Sequence, residues 1–258
     1  MIFETLGLTM VFGGLTAVDS LDMQVHEGEI RAVIGPNGSG KSTLLNCISG
    51  VYKPTSGLIR LKGRRVTGLS PHRIARMGVG RTFQNIRLFD SLTVLQNVMV
   101  ARHFRMKATL AEDILSLPRS RHEEAQVREK ALSCLEFVGI ADKRDSLASD
   151  LSFGQRRLVE IARALAAEPT LLLLDEPAAG LSGTAIARLD DGMRRISEAG
   201  VAIIYVEHNM RFVMDISDQI TVLDFGKKIA EGTPAECRNN QSIIECYLGG
   251  KVGNAAQA

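Results

Sequence analysis

EIRAVIGPNGSGKSTLLNCIS occupies residues 29–49, and its reading decides the fold. EIRAVIG (29–35) is a short apolar run that ends in glycine, as a strand buried on both faces would. GPNGSGKS (35–42) follows at once and fits the pattern G-x-x-x-x-G-K-[ST]. Thr43 to Ile48 then carries a helical pattern. A strand, a glycine-rich turn and a helix start together form a phosphate cradle. Gly38 and Gly40 let backbone N–H groups approach phosphate oxygens, and the helix N-terminus adds positive potential. Lys41 is placed to neutralise β- and γ-phosphates, and the Ser42 hydroxyl to ligate Mg²⁺. Gly35, Pro36, Asn37, Ser39 and Thr43 complete the candidate nucleotide-binding loop. The competing reading is a plain glycine-rich turn, which the correct flanking pattern disfavours.

Two further runs extend the argument. LLLLDEP (171–177) is a continuous apolar run closed by two acids, and VAIIYVE (201–207) is rich in β-branched residues. Between them, Ile186, Leu189, Met193 and Ile196 recur at three- and four-residue spacing, so Thr184 to Ala199 reads as a helix. Strands alternating with helices predict an α/β core with a parallel sheet. Asp175, at the end of its run, is a candidate to hold Mg²⁺ through water. Glu176 is the candidate general base that polarises the attacking water. Alone, this stretch reads equally well as a buried strand ending in a turn. Paired with the phosphate cradle it points to nucleotide hydrolysis, which kinases, helicases and GTPases share.

The middle of the chain differs. From about Leu92 to Leu165 no buried strand is evident. Val127, Ala131, Leu135 and Val138 share one helical face, with Gly139 as the C-cap. A helical subdomain inserted between core strands is expected. ITVLDFGKKIAEG (220–232) alternates around Gly226 and predicts a hairpin.

Composition sets bounds on function. The formal charge of +2 gives no reason to expect a nucleic-acid partner. Cys47, Cys134, Cys237 and Cys246 form no C-x-x-C pair, so free thiols are expected rather than a zinc or redox site. The opening MIFETLGLTM has an acid and no basic stretch, unlike a signal peptide. No apolar run reaches the roughly 18 residues needed to cross a bilayer. A cytoplasmic chain, held at a membrane only through partners, is the expectation.

LSFGQ (151–155), opening the helical stretch Gln155 to Ala167, separates the remaining classes. LSFGQRRLVEIARAL resembles the signature segment and helix of the ABC ATPase family. The resemblance implies a P-loop NTPase (RecA-like) α/β core with an antiparallel β subdomain and an inserted α-helical subdomain. It covers residues 4–250, with the core at about 4–85 and 160–250, the helical part at about 86–160, and a tail at 251–258. It also assigns roles. Ser152, Gly154 and Gln155 would contact the nucleotide held by a second subunit. Gln84 in RTFQN is similar to the glutamine that meets Mg²⁺ and the attacking water. His208 in VEHN resembles the histidine that touches the γ-phosphate. Phe12 is similar to the aromatic that stacks on adenine, the alternative being a core side chain. AAGLS (178–182) ends in Ser182 where the family commonly carries Asp or Asn, which leaves that contact open.

One copy of each motif implies half of a catalytic pair, closed around ATP and Mg²⁺ and reopened by hydrolysis. The partner ATPase would be a second copy or a LivF-like subunit. GVGRTFQNIRLFDSLTVLQNVMVARH (78–103) and IIECYLGG (243–250) are similar to LivG-type subunits of hydrophobic amino acid importers. That resemblance implies two membrane permease subunits and, indirectly, an extracytoplasmic solute-binding protein. Importers of urea or amides and lipopolysaccharide-type exporters remain as alternatives. Soluble ABC proteins fit less well, because the long coiled-coil insertion or second cassette they carry is absent.

Overall fold

The computed structural model describes residues 1–83, 86–102, 118–181, 183–238, 240 and 243. Those residues form two compact units. The first comprises 1–81, 170–178 and the residues from 193 onward, and the second comprises 82–169 and 179–192.

In the first unit the three apolar runs become strands with every residue buried: β3 (Ile30–Ile34), β7 (Leu171–Asp175) and β8 (Ala202–Val206). A strand with no polar face is stable only when covered on both sides. β3 pairs in parallel with β8, and β8 with β7. β6 (Val79–Arg81) extends this parallel array on the β7 side, and β9 (Gln219–Asp224) on the β3 side. β10 (Lys227–Gly232) folds back antiparallel on β9, completing a six-stranded sheet in the order β10-β9-β3-β8-β7-β6. The expected hairpin over 220–232 is therefore present. Its turn, Phe225–Gly226, has positive φ at both residues. The Gly226 N–H donates to the Ser39 carbonyl, and the Gly226 carbonyl accepts from Asp19 N–H.

A second sheet belongs to the same unit. β1 (Phe3–Phe12), β2 (Leu15–Val25), β4 (Ser56–Leu61) and β5 (Arg64–Arg65) run antiparallel in the order β2-β1-β4-β5. Helix α1 (Lys41–Ile48) buries Leu44, Leu45, Cys47 and Ile48 in one hydrophobic cluster with Phe3 and Leu8 of β1, Ile59 of β4, and Leu171 and Ile204 of the parallel sheet. Burial pushes the Cys47 thiol up to about 11. Short α2 (Pro71–Arg76) adds Ile74 to the cluster.

The described part of the second unit is helical. α3 (Val94–Val100), α4 (Pro118–Phe137) and α5 (Phe153–Ala166) pack on one another. The face predicted for α4 is the one buried: Val127, Ala131, Leu135 and the following Val138. Gly139 takes φ 74° after it, as a C-cap requires. The helix predicted at Thr184–Ala199 is α6 (Gly183–Glu198).

At the heart of this unit lies a buried ion pair. Arg157 and Glu160 of α5 meet at 2.8 Å, each side chain 1% exposed. Glu160 Oε1 accepts from Phe83 N–H at 3.1 Å, and Arg157 Nη1 donates to the Phe83 carbonyl at 2.9 Å. Burial pushes Glu160 upward in pKa, opposed by the Phe83 N–H and by Arg157. Glu160→Ala removes the carboxylate that Arg157 meets at 2.8 Å in this buried pair, and should destabilise the fold by about 3–5 kcal/mol. Urea unfolding followed by circular dichroism measures this, and a loss below ~1 kcal/mol would contradict it.

Candidate nucleotide site

The phosphate loop sits where β3 turns into α1. Gly35 is buried with φ 150°, and a Cβ there would lie 2.0 Å from the Leu223 carbonyl oxygen. Gly40 caps α1 at φ 103°, where a Cβ would lie 2.2 Å from the Ala17 carbonyl oxygen. These two glycines are fixed by close backbone packing. Gly38 is different: a Cβ there would meet nothing within 4 Å. Its positive φ of 83° shapes the loop, and its outer side stays open. Lys41 is 6% exposed, with Nζ donating to the Gly35 carbonyl at 2.8 Å and the Pro36 carbonyl at 2.7 Å. Ser39 is buried, whereas Asn37, Gly38 and Ser42 are exposed and Pro36 and Thr43 lie between. A preformed loop with a buried ammonium beneath it suits a polyphosphate.

The ends of β7 and β8 carry the acids and the histidine. Asp175 is 4% exposed and pairs in register with Val206. Glu176 follows in the left-handed region at φ 49°, its N–H donating to the Val206 carbonyl at 3.0 Å. That sharp turn brings its side chain to His208, whose Nε2 donates to Glu176 Oε1 across 2.9 Å. Two residues 32 apart in sequence thus become partners. The pair is accessible, the Glu176 side chain being 22% and the His208 side chain 44% exposed.

Three residues here went unread in the sequence. Arg81 donates to the Leu45 carbonyl at 3.2 Å and to Ser49 Oγ, and lies 3.8 Å from Asp175. It thereby ties α1 to the end of β7. Burial lowers its pKa, and Asp175 opposes that. Glu207 is 3% exposed and accepts from three backbone N–H groups, of Ala178, His208 and Asn209. Tyr52 meets Phe12 edge-on, with ring centroids 5.2 Å apart. Phe12 itself is 40% exposed at the end of β1, so it is not a core side chain. A hydrophobic residue beside a small-residue turn gave no signal for Tyr52, and an acid beside a histidine gave none for Glu207.

Phe12, the loop 35–43, Asp175, Glu176 and His208 all belong to the first unit. Ser152, Gly154 and Gln155 belong to the second. There Ser152 caps α5: its Oγ accepts from Gln155 N–H at 3.4 Å, and Gln155 Oε1 accepts from Ser152 N–H at 2.9 Å. This capping box sets the helix start and leaves Ser152 exposed. Gly154 faces Leu181, 3.1 Å from where its Cβ would lie. Gln84 and Ser182 lie outside the described residues.

A phosphate loop at the mouth of a parallel sheet, with an acid pair at the end of β7, the next strand but one, defines a P-loop nucleotide hydrolase. Residues 18–179 match the ABC transporter family. The chain belongs to that family and is one of its ATPases. It is 43% identical over 244 residues, 94% of its length and 96% of the relative's, to the high-affinity branched-chain amino acid transport ATP-binding protein LivG of Salmonella typhimurium. The same identity extends over 249 residues, 96% and 98% of the two chains, to BraF of Pseudomonas aeruginosa, which carries the same description. Among solved structures, an ATP-binding cassette of an ABC transporter in its ADP conformation superposes with a TM-score of 0.83 at 30% identity, covering 96% of this chain and 98% of that one.

Proposed function

We propose that this chain powers the uptake of branched-chain or other hydrophobic amino acids by hydrolysing ATP at the first unit's site. The observation that carries the reading is near-complete coverage of LivG and BraF, joined to a preformed phosphate loop and a Glu176–His208 pair. In this reading residues 4–250 work as one ATPase domain whose helical part spans about 86–160. Lys41 balances the charge of the β- and γ-phosphates. Glu176 takes a proton from the attacking water, and His208 keeps its carboxylate oriented. Ser42 and Asp175 supply oxygen ligands of the kind Mg²⁺ prefers when phosphates complete its shell, with Gln84 as a further ligand. Mg²⁺ supplies charge neutralisation at those phosphates.

A single copy of the phosphate loop and of LSFGQ calls for a second subunit, identical or LivF-like. Ser152, Gly154 and Gln155 of one subunit would then complete the site of the other. No helix among the described residues is long and apolar enough to cross a membrane. Two permease subunits would therefore hold the chain at the inner face of the cell membrane, with a solute-binding protein selecting cargo outside. Segment 85–103 is the proposed permease contact, where Phe89 is 51% exposed and Asp90 pairs with Arg156 at 2.7 Å.

The test is reconstitution of the native complex, purified through this chain, into vesicles. ATP-driven accumulation of leucine, isoleucine or valine is expected. Accumulation of urea or an amide instead, or outward movement of a lipid, would replace the import reading.

Phe12 gives a narrower expectation. As an adenine platform it should contribute about 1–3 kcal/mol, as base stacking on aromatic side chains does elsewhere. Phe12→Ala should weaken ATP by that amount and leave inorganic triphosphate unaffected in competition dialysis. Equal loss for both ligands would remove Phe12 from the adenine site.

A further inference from the structure

Glu207 is the last residue of VAIIYVE, and nothing in the reaction outlined above uses it. The residue is 3% exposed, a placement that costs its carboxylate much solvation unless donors replace water. The donors are all backbone. Oε1 accepts from Ala178 N–H at 2.7 Å, in the turn that follows Glu176. Oε2 accepts from His208 N–H at 2.9 Å and from Asn209 N–H at 3.3 Å, at the turn leading into α7 (Met210–Ile216). One carboxylate thus spans two turns, and those turns carry the two partners that meet at 2.9 Å. Asn209 adds local order, its Oδ1 accepting from Phe212 N–H at the start of α7.

We propose that Glu207 is a positioning residue for hydrolysis, which locks the turn bearing Glu176 to the turn bearing His208 and so holds that pair in register. The inference rests on the reading of Glu176 as general base. Only a carboxylate fits the task. It offers acceptors on both oxygens, whereas an amide turns an NH₂ toward one of the two turns and sets donor against donor. The phosphate loop is built from other residues, so nucleotide affinity does not depend on the lock.

The test compares Glu207→Gln with Glu176→Gln and His208→Ala in the assembled transporter. For Glu207→Gln, kcat should fall about ten- to a hundredfold, the scale of a sub-ångström to ångström misplacement. KM and ADP affinity should change by less than about threefold. Because Glu207 acts through the pair, combining Glu207→Gln with His208→Ala should lower kcat little beyond the worse single change. Losses that multiply overturn the proposal, as does normal turnover by Glu207→Gln while Glu176→Gln is inactive. If Glu176→Gln itself turns over normally, the general-base reading fails instead. Should Glu207→Gln not fold, hydrogen exchange on the unmodified protein decides. The Ala178 and His208 amides should exchange at least about a hundredfold slower than in an unstructured peptide. Rapid exchange at both overturns the lock.

Discussion

Glu176→Gln should bind ATP normally and hydrolyse it about a hundred- to ten-thousandfold more slowly. The geometry isolates the chemical effect. The backbone at Glu176 is already in the left-handed region, and its N–H is held by Val206 whatever the side chain. A glutamine carbonyl oxygen can still accept the His208 Nε2–H, so the side chain keeps its place. What it loses is the ability to take a proton at neutral pH. Binding measured by dialysis and turnover measured by phosphate release should therefore part company. The substituted protein should also accumulate as an ATP-bound dimer on gel filtration, because closure precedes the blocked step. Turnover within tenfold of normal would move the general base elsewhere, with His208 the next candidate.

Lys41→Ala should weaken ATP binding ten- to a hundredfold, the loss of one charge-assisted phosphate contact worth about 1.5–3 kcal/mol. A second effect acts through the loop. The Lys41 ammonium donates to the carbonyls of Gly35 and Pro36 from a nearly buried position. Removing it leaves those carbonyls without that donor and empties the space beneath the loop, so the cradle loses shape as well as charge. Lys41→Arg separates the two contributions, since it keeps the charge while its planar fork cannot occupy the same space. Equilibrium dialysis with ATP decides. Unchanged affinity in Lys41→Ala would remove the residue from phosphate binding.

Much of this was legible because burial on both faces leaves a plain trace. Apart from Arg31 and the terminal Asp175, IRAVI, LLLLD and AIIYV carry no charged residue to alternate with the apolar ones, and the structure buries every residue of all three. The antiparallel sheet left no such trace. β1 carries buried Glu4 and Thr5, and its pairing with β2 shifts register between Thr5 and Leu8 and again near Met10. Alternation fails there, and only the resemblance to ABC ATPases suggested the sheet. Helix starts fared better. LSFGQ has the spacing of a capping box as well as of a signature, and α5 uses Ser152 and Gln155 in that way. Arg81 and Glu207 escaped notice for one reason. Arg81 meets Leu45, Ser49 and Asp175, and Glu207 is tied to Ala178, all from tens of residues away, so nothing beside either residue in sequence announces that its charge is buried.

The turn at Phe225–Gly226 bears on how this protein can be engineered. Phe225 is 86% exposed, which by accessibility alone marks the turn as a place to graft a fluorescent label or an affinity handle. Its neighbour argues otherwise. Gly226 bonds through its N–H to Ser39 in the phosphate loop and through its carbonyl to Asp19 of β2. A graft between the two residues would pull on that bolt and loosen the cradle. A reporter of nucleotide occupancy could exploit the same linkage: a small environment-sensitive dye replacing the Phe225 side chain keeps the backbone intact while sitting one residue from the bolt.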